Sequence, residues 1–316
     1  MPRVPEDAAH GGPGWPQRTE SLLQEIGKIW SNCGVNSEWT PLKAVLMHRP
    51  GPEIETISEA DDVLMLDVPD ATIAKGQHDR LVEAYREADV EVLYVRPNSV
   101  PPPNLMFVAD LFFMTPEGVI LARPASTVRA GEERIVARRL TELGIPILRC
   151  VRGGGAFEGS DASWINPNTV MIATGLRTNS EGAAQVTSLL QEMGVEVVRV
   201  SLPRGTMHLM GVLRFVDRDH AISWRSRMPQ VAVRALRSHG FTVSFIPEDD
   251  EAIHGLALNF VTLRPNTILM PADNPRTQSY YEDMSIQCKI VEMKEIHKAA
   301  GGIGCLTGIL NRESAT

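Results

Sequence analysis

The sequence predicts one α/β domain closed into a ring of five like units. Three observations lead there. A helix with apolar residues at 3–4 spacing, a single turn residue and an apolar strand recur in that order five times. The closing strands follow one another at roughly even intervals of 45 to 55 residues, the regime of repeat architectures. The polar residues suited to chemistry fall in the loops that enter the units, so ring symmetry would bring them together. An ordinary doubly wound sheet also alternates strand and helix. Near-equal units favour closure, and closure explains one domain in a chain of 316 residues, a length that otherwise suggests about two.

In chain order, residues 1–18 are polar and rich in Pro and Gly, without the apolar stretch of a signal peptide. They are expected to form a disordered tail, with a single catalytic domain over 19–316. A helix is expected over Glu20–Trp30. Leu42–Met47 then reads as a buried strand, stopped by Arg49-Pro50-Gly51-Pro52. Helix–strand pairs follow over Gln77–Ala88 and Val90–Val95, Glu132–Leu143 and Ile145–Leu148, Glu181–Met193 and Val195–Val200, Pro229–His239 and Phe241–Ile246, and Thr277–Met284 and Cys288–Met293. Four of the helices also follow an apolar strand: Val119–Ala122, Val170–Ala173, Ala221–Trp224 and Thr267–Met270.

Composition narrows the class. The chain is 43% hydrophobic and 22% charged, ample for a large core. A net charge of -8 argues against nucleic acid or an anionic membrane as partner, and no apolar run reaches membrane-spanning length. The four cysteines Cys33, Cys150, Cys288 and Cys305 show no disulfide-like pattern, so a reducing, cytoplasmic setting is expected.

Chemistry concentrates in the entry loops. Cys305 lies in Gly301-Gly302-Ile303-Gly304-Cys305-Leu306-Thr307-Gly308, where glycines let backbone and sulfur approach a ligand. Too little chain follows Gly308 for a dinucleotide-binding βαβ unit. Cys288 and His297 stand at the wrong spacing for a zinc site, so no metal is expected. A nucleophile or a packed thiol remain. Asp110 sits inside the apolar run Val108–Met114, as a buried carboxylate that needs a partner or as a turn cap. Gly153–Asp161 places Glu158 and Asp161 in a glycine-rich turn, or in a plain flexible loop. Arg177, at a strand end before a helix, suits an anion anchor or a surface ion pair, and Arg123 holds the matching place one unit earlier. His208, among apolar residues, is a general base or a satisfied core histidine. Asn259 stands in the last entry loop. Asp110, Glu158, His208 and Cys305 share a common phase in successive units.

On these segments the chain resembles the guanidine-modifying enzymes of the pentein fold: arginine deiminase, dimethylarginine dimethylaminohydrolase and the amidinotransferases. The likeness covers about residues 35–312. Leu42-Lys43-Ala44-Val45-Leu46 and His48–Ile54 look like the arginine deiminase opening. Asn104, Phe107 and Asp110 are similar to the segment bearing a guanidinium-binding aspartate. Phe157-Glu158-Gly159-Ser160-Asp161 resembles the family's Glu-Gly-Gly-Asp loop. Met207-His208-Leu209 matches the catalytic-histidine segment, and Gly301–Thr307 the segment of the nucleophilic cysteine. Arg177-Thr178 resembles the position that grips the substrate carboxylate. Three residues depart from the pattern: Ser160, Ala109 and Met210, the last standing where arginine deiminases carry an aspartate.

The resemblance implies a five-bladed α/β propeller of five ββαβ-like repeats. It implies Cys305, His208 and Glu158 as catalytic residues, and Asp110, Asn104, Phe107, Arg177, Arg123, Asp161 and Asn259 as substrate-binding. No cofactor is expected. The expected partner is a small guanidino molecule, and a homo-oligomer stays open. The expected reaction is hydrolysis of arginine or an N-substituted analogue through an amidino-cysteine intermediate. An amidinotransferase, a dihydrolase giving ornithine and a non-catalytic binding pentein are the alternatives.

Overall fold

The computed structural model describes residues 6–247 and 249–316. Five three-stranded mixed sheets share one topology. In four of them a hairpin is followed by a helix and a strand parallel to the hairpin's second member. The hairpins are β3 (Phe112–Thr115) with β4 (Gly118–Leu121), β6 (Ala162–Asn166) with β7 (Thr169–Thr174), β9 (Leu213–Asp217) with β10 (His220–Ser223), and β12 (Val261–Arg264) with β13 (Thr267–Pro271). The parallel strands are β5 (Ile147–Cys150), β8 (Glu196–Ser201), β11 (Thr242–Phe245) and β14 (Gln287–Val291).

The fifth sheet joins the two ends of the chain. β1 (Leu42–Met47) pairs in parallel with β2 (Glu91–Tyr94), and antiparallel with β15 (Gly308–Arg312). The last strand thus fills the place that the first hairpin strand fills elsewhere. Neighbouring sheets touch: β15 contacts β3, β9 contacts β12, and β12 contacts β1. This separation into small sheets excludes one open doubly wound sheet.

The five expected helices form, over Ala71–Arg86, Glu132–Glu142, Ser180–Glu192, Gln230–Ser238 and Pro275–Asp283. Each buries an apolar stripe, such as Val136 and Leu140, or Val186, Leu189 and Leu190, against the strands. The first starts earlier than the sequence pattern suggests, because Asp70 caps it by accepting from the Ile73 amide at 2.9 Å.

The expected helix over Glu20–Trp30 shrinks to Leu22–Glu25. A Ser21/Gln24 capping box starts it, but Gly27 turns left-handed at φ 79° and reverses the chain, its amide bonding the Trp30 carbonyl at 2.9 Å. Of the expected tail, residues 6–18 are almost wholly exposed and hold one 3-10 turn, Ala8–His10; residues 1–5 lie outside the described residues. No helix is long and apolar enough to cross a membrane.

A candidate active site at the inner turns

A short helical turn precedes each of β3, β6, β9 and β15, though not β12, and the candidate site residues lie at these turns. Val108–Asp110 leads into β3, Gly159–Asp161 into β6, Leu209–Gly211 into β9, and Ile303–Leu306 precedes β15. Glu158 and His208 stand immediately before their turns, at the N-cap. Such tight turns are held from outside their own backbone. Asp161 Oδ1 accepts the Leu209 amide at 3.0 Å and so fixes the turn of His208. Asn259 Oδ1 accepts the amides of Gly304 at 2.7 Å and Cys305 at 3.3 Å, while its Nδ2 donates to the Cys305 sulfur at 3.1 Å. Gly304 is required there, since a Cβ would overlap the Arg214 guanidinium. Asp161 and Asn259 therefore brace the segments of His208 and Cys305, and neither lines the pocket.

The pocket is small, about 20 Å³, and is lined among others by Asn104, Phe107, Asp110, Arg129, Arg177, His208 and Cys305. Glu158 lies directly behind, fully buried. Its Oε2 accepts from His208 Nε2 at 2.7 Å, and its Oε1 accepts the Ala125 amide at 3.1 Å and stands 3.5 Å from Arg177 Nη1. Asp110 Oδ1 accepts from the Ser160 hydroxyl and stands 3.7 Å from His208 Nε2; its Oδ2 accepts from Arg129 Nη1 at 2.6 Å. Arg129 is the residue that sequence reasoning missed. It also donates Nε to Glu132 at 2.9 Å and lies 3.7 Å from Glu158. A signal for it existed: Arg129 follows Asp110 by nineteen residues, as Arg177 follows Glu158.

Arg123 lies elsewhere. It is exposed, donates to the Gly155 carbonyl at 3.0 Å and pairs with Phe157, bracing the Glu158 loop from outside. Met210 is half-buried and accepts weakly from the Ser160 hydroxyl at 3.6 Å. With Ala109 it lines a neighbouring cavity rather than this pocket.

Electrostatics assign protons. Burial disfavours the imidazolium of His208, but Asp110 and Glu158 outweigh it and raise the ring to about 9. Burial likewise opposes the Asp110 carboxylate, yet His208 and Arg129 hold it below the ordinary range. The Arg129 charge is favoured by Asp110, Glu132 and Glu158 over its desolvation. Burial and then Asp110 push the Cys305 thiol up, against weaker help from the Gly302 backbone, Asn259 and Arg214. At neutral pH the site therefore rests as a thiol beside an imidazolium. Asp110, Glu158 and His208 also converge closely enough to hold a metal ion. The guanidinium of Arg129, bonded to one of those carboxylates and close to the other, opposes a dication there.

The profile of the arginine deiminase family matches residues 97–240. The dimethylarginine dimethylaminohydrolase of Pseudomonas aeruginosa is 24% identical over 239 residues, 76% of this chain and 89% of that protein. A solved structure of that enzyme's cysteine-to-serine variant with citrulline has a TM-score of 0.71 at 23% identity, covering 84% of this chain and 98% of the other. An amidinotransferase of saxitoxin biosynthesis from Microseira wollei has a TM-score of 0.73 at 13% identity, covering 90% and 98%. The family profile spans Asp110, Glu158, Arg177 and His208 and ends before Cys305, and over most of its length the chain is similar to guanidine-modifying enzymes of the pentein fold.

Proposed function

We propose that this chain is a cysteine-dependent hydrolase of a guanidino compound, arginine or an N-substituted relative, built as a five-bladed propeller. The observation that carries the reading is the meeting of Cys305, Asp110 and the His208–Glu158 pair at one pocket. A guanidinium is resonance-stabilised and a poor electrophile. Two fixed carboxylates supply the charge-assisted bonds that would hold its plane against the sulfur. The cation's arrival lowers the Cys305 pKa, so the thiol ionises when substrate binds.

The steps follow from the proton inventory. The Cys305 thiolate attacks the guanidino carbon, forming a carbon–sulfur bond. The tetrahedral intermediate collapses, and the imidazolium of His208 gives its proton to the departing amine. The neutral imidazole then takes a proton from water as that water attacks the amidino carbon. The carbon–sulfur bond breaks, leaving a ureido product and a free thiolate. Glu158 steadies the ring through both proton transfers.

Arg129 occupies Asp110 in the resting site, so a guanidino substrate must displace one guanidinium with another. At about 20 Å³ the pocket holds little more than water. Its wall includes Leu64 and Met207, which are 37% and 36% exposed. Arg177, and Arg129 once released, match a substrate carboxylate. Arginine deiminases and dimethylarginine hydrolases share this residue set with amidinotransferases, whose acceptor is an amine instead of water. A screen of guanidino compounds for ammonia, amine and ureido product tests the reading. A ureido product that vanishes in Cys305→Ser supports hydrolysis. Amidino transfer to an added amine without ureido product would favour the transferase, and inertness on every guanidine the non-catalytic pentein.

A further inference from the structure

Behind the turn of Cys305 lies a cation that no carboxylate answers. Arg214 stands on β9, and its guanidinium packs against Gly304, the residue before the cysteine; only glycine leaves room for it there. Its Nε donates to the Leu258 carbonyl at 3.0 Å. The next residue, Asn259, binds the Gly304 and Cys305 amides and the Cys305 sulfur. Arg214 thus touches both sides of the clamp that holds the cysteine. Its Nη2 is buried and has no protein acceptor, and among the described residues it forms no ion pair with a carboxylate.

The charges around Arg214 leave one counter-charge beside it. Glu38 lines the neighbouring cavity with Arg214, but it accepts the Trp164 amide at 2.9 Å and is shared with Arg312, a second cation on the same wall. Tyr85 and Tyr281 also face the guanidinium, and burial keeps both phenols protonated. Desolvation opposes the Arg214 charge, and of the groups that favour it the Cys305 thiolate comes first. Seen from the sulfur, burial and Asp110 oppose ionisation, while the Gly302 backbone, Asn259 and Arg214 favour it. Arg129, Arg177 and His208 line the pocket on its other side, with Glu158 behind His208. An unpaired buried cation is costly, and this one sits where the reaction would put negative charge.

We propose that Arg214 is a positioning residue for the nucleophile, a fixed cation beneath the turn that receives the negative charge forming on Cys305. The inference rests on the reading of Cys305 as the attacking sulfur. A guanidino substrate brings its own cation from the pocket side, but that charge is gone when the carbon–sulfur bond breaks and the sulfur leaves as thiolate. Arg214 is present at both steps.

The thiol is titrated on the full chain without substrate. Alkylation of Cys305 by iodoacetamide is followed by peptide mass spectrometry from pH 6 to 11, because only the thiolate reacts. Arg214→Met should displace the profile upward by about one pH unit, so that alkylation at pH 8 slows roughly tenfold. Arg214→Lys keeps the charge and should stay within about twofold of wild type at that pH. An arginine that only braced the turn would cost stability when removed. Exchange of an unpaired buried cation for an apolar side chain should instead leave the melting temperature of Arg214→Met within about 3 °C of wild type, or above it. A profile that does not move in Arg214→Met, an equal move in Arg214→Lys, or a larger loss of stability, failure to fold included, overturns the proposal. A displaced profile in a protein that turns over no guanidine would count against the hydrolase and leave the role of Arg214 standing.

Discussion

Glu158→Gln isolates the bond between His208 and its carboxylate. The exchange keeps shape and an acceptor for the Ala125 amide, but removes the charge 2.7 Å from His208 Nε2. His208 is raised from 6.5 to about 9, which corresponds to about 3 kcal/mol in favour of the imidazolium. The ring is only 5% exposed, so solvent screens little of this. Asp110, Asp161 and Glu158 together oppose burial, and loss of the hydrogen-bonded Glu158 charge should lower the ring by about one pKa unit, about 1–2 kcal/mol. The sign is fixed by linkage. A folded pKa above the unfolded one gives stability that is full below pH 6.5 and is lost as pH rises through about 9. Wild type should therefore exceed Glu158→Gln by about 1–2 kcal/mol more at pH 6 than at pH 10, read by urea unfolding at both. An NMR titration of His208 should show the matching fall in its pKa. An unchanged titration, with the same stability gap at both pH values, would refute the reasoning.

Other perturbations follow from the same geometry. Arg177→Ala should raise KM by a factor equivalent to about 2–4 kcal/mol for substrates with an α-carboxylate, and barely affect those without one; equal effects on both would remove its assignment. Arg129→Met strands Asp110 and Glu132 in the interior, so thermal unfolding should show a loss of about 3–5 kcal/mol; a stability within 1 kcal/mol of wild type would mean the ion-pair cluster is not formed. N-methylated arginines should have higher kcat/KM than arginine, because Met210, next to Ser160, supplies no carboxylate to take a further guanidinium N–H. Met210→Asp should shift the preference toward arginine; a wild-type preference for plain arginine by tenfold or more ends that inference.

Much of this architecture is legible in the chain because helix and parallel strand carry strong local signals. The first strand of each hairpin is not assigned from periodicity, although the turns announce it. Asn166-Pro167-Asn168 and Arg264-Pro265-Asn266 separate apolar runs with proline-led turns, and Asn266 takes φ 55°. These strands are short and buried on both faces, so they lack alternation. β15 is harder to read, since its partner β1 lies at the other end of the sequence. Glu158 and His208 share one phase, each just before its turn, whereas Asp110 ends its turn at the place Asp161 holds one unit on. Ser160 lies fifty residues from both Asp110 and Met210 and touches both. Arg123 misleads because it ends the strand one unit before Arg177, yet the side chain that reaches the pocket is Arg129, six residues on and inside a 3-10 turn. Periodicity does not reveal which of two nearby arginines turns inward.

The account stands or falls on a bond between Cys305 and the substrate's guanidino carbon. His208→Gln removes both the acid that protonates a departing amine and the base that activates water, so the covalent intermediate is trapped with an S-alkyl isothiourea analogue of arginine, whose thiolate leaves without a proton. The variant is incubated with this analogue, quenched in acid, and mapped by peptide mass spectrometry. One amidino group on the peptide containing Cys305, absent from Cys305→Ser, is the predicted result. No adduct, together with retained turnover of arginine in Cys305→Ser, would contradict the mechanism.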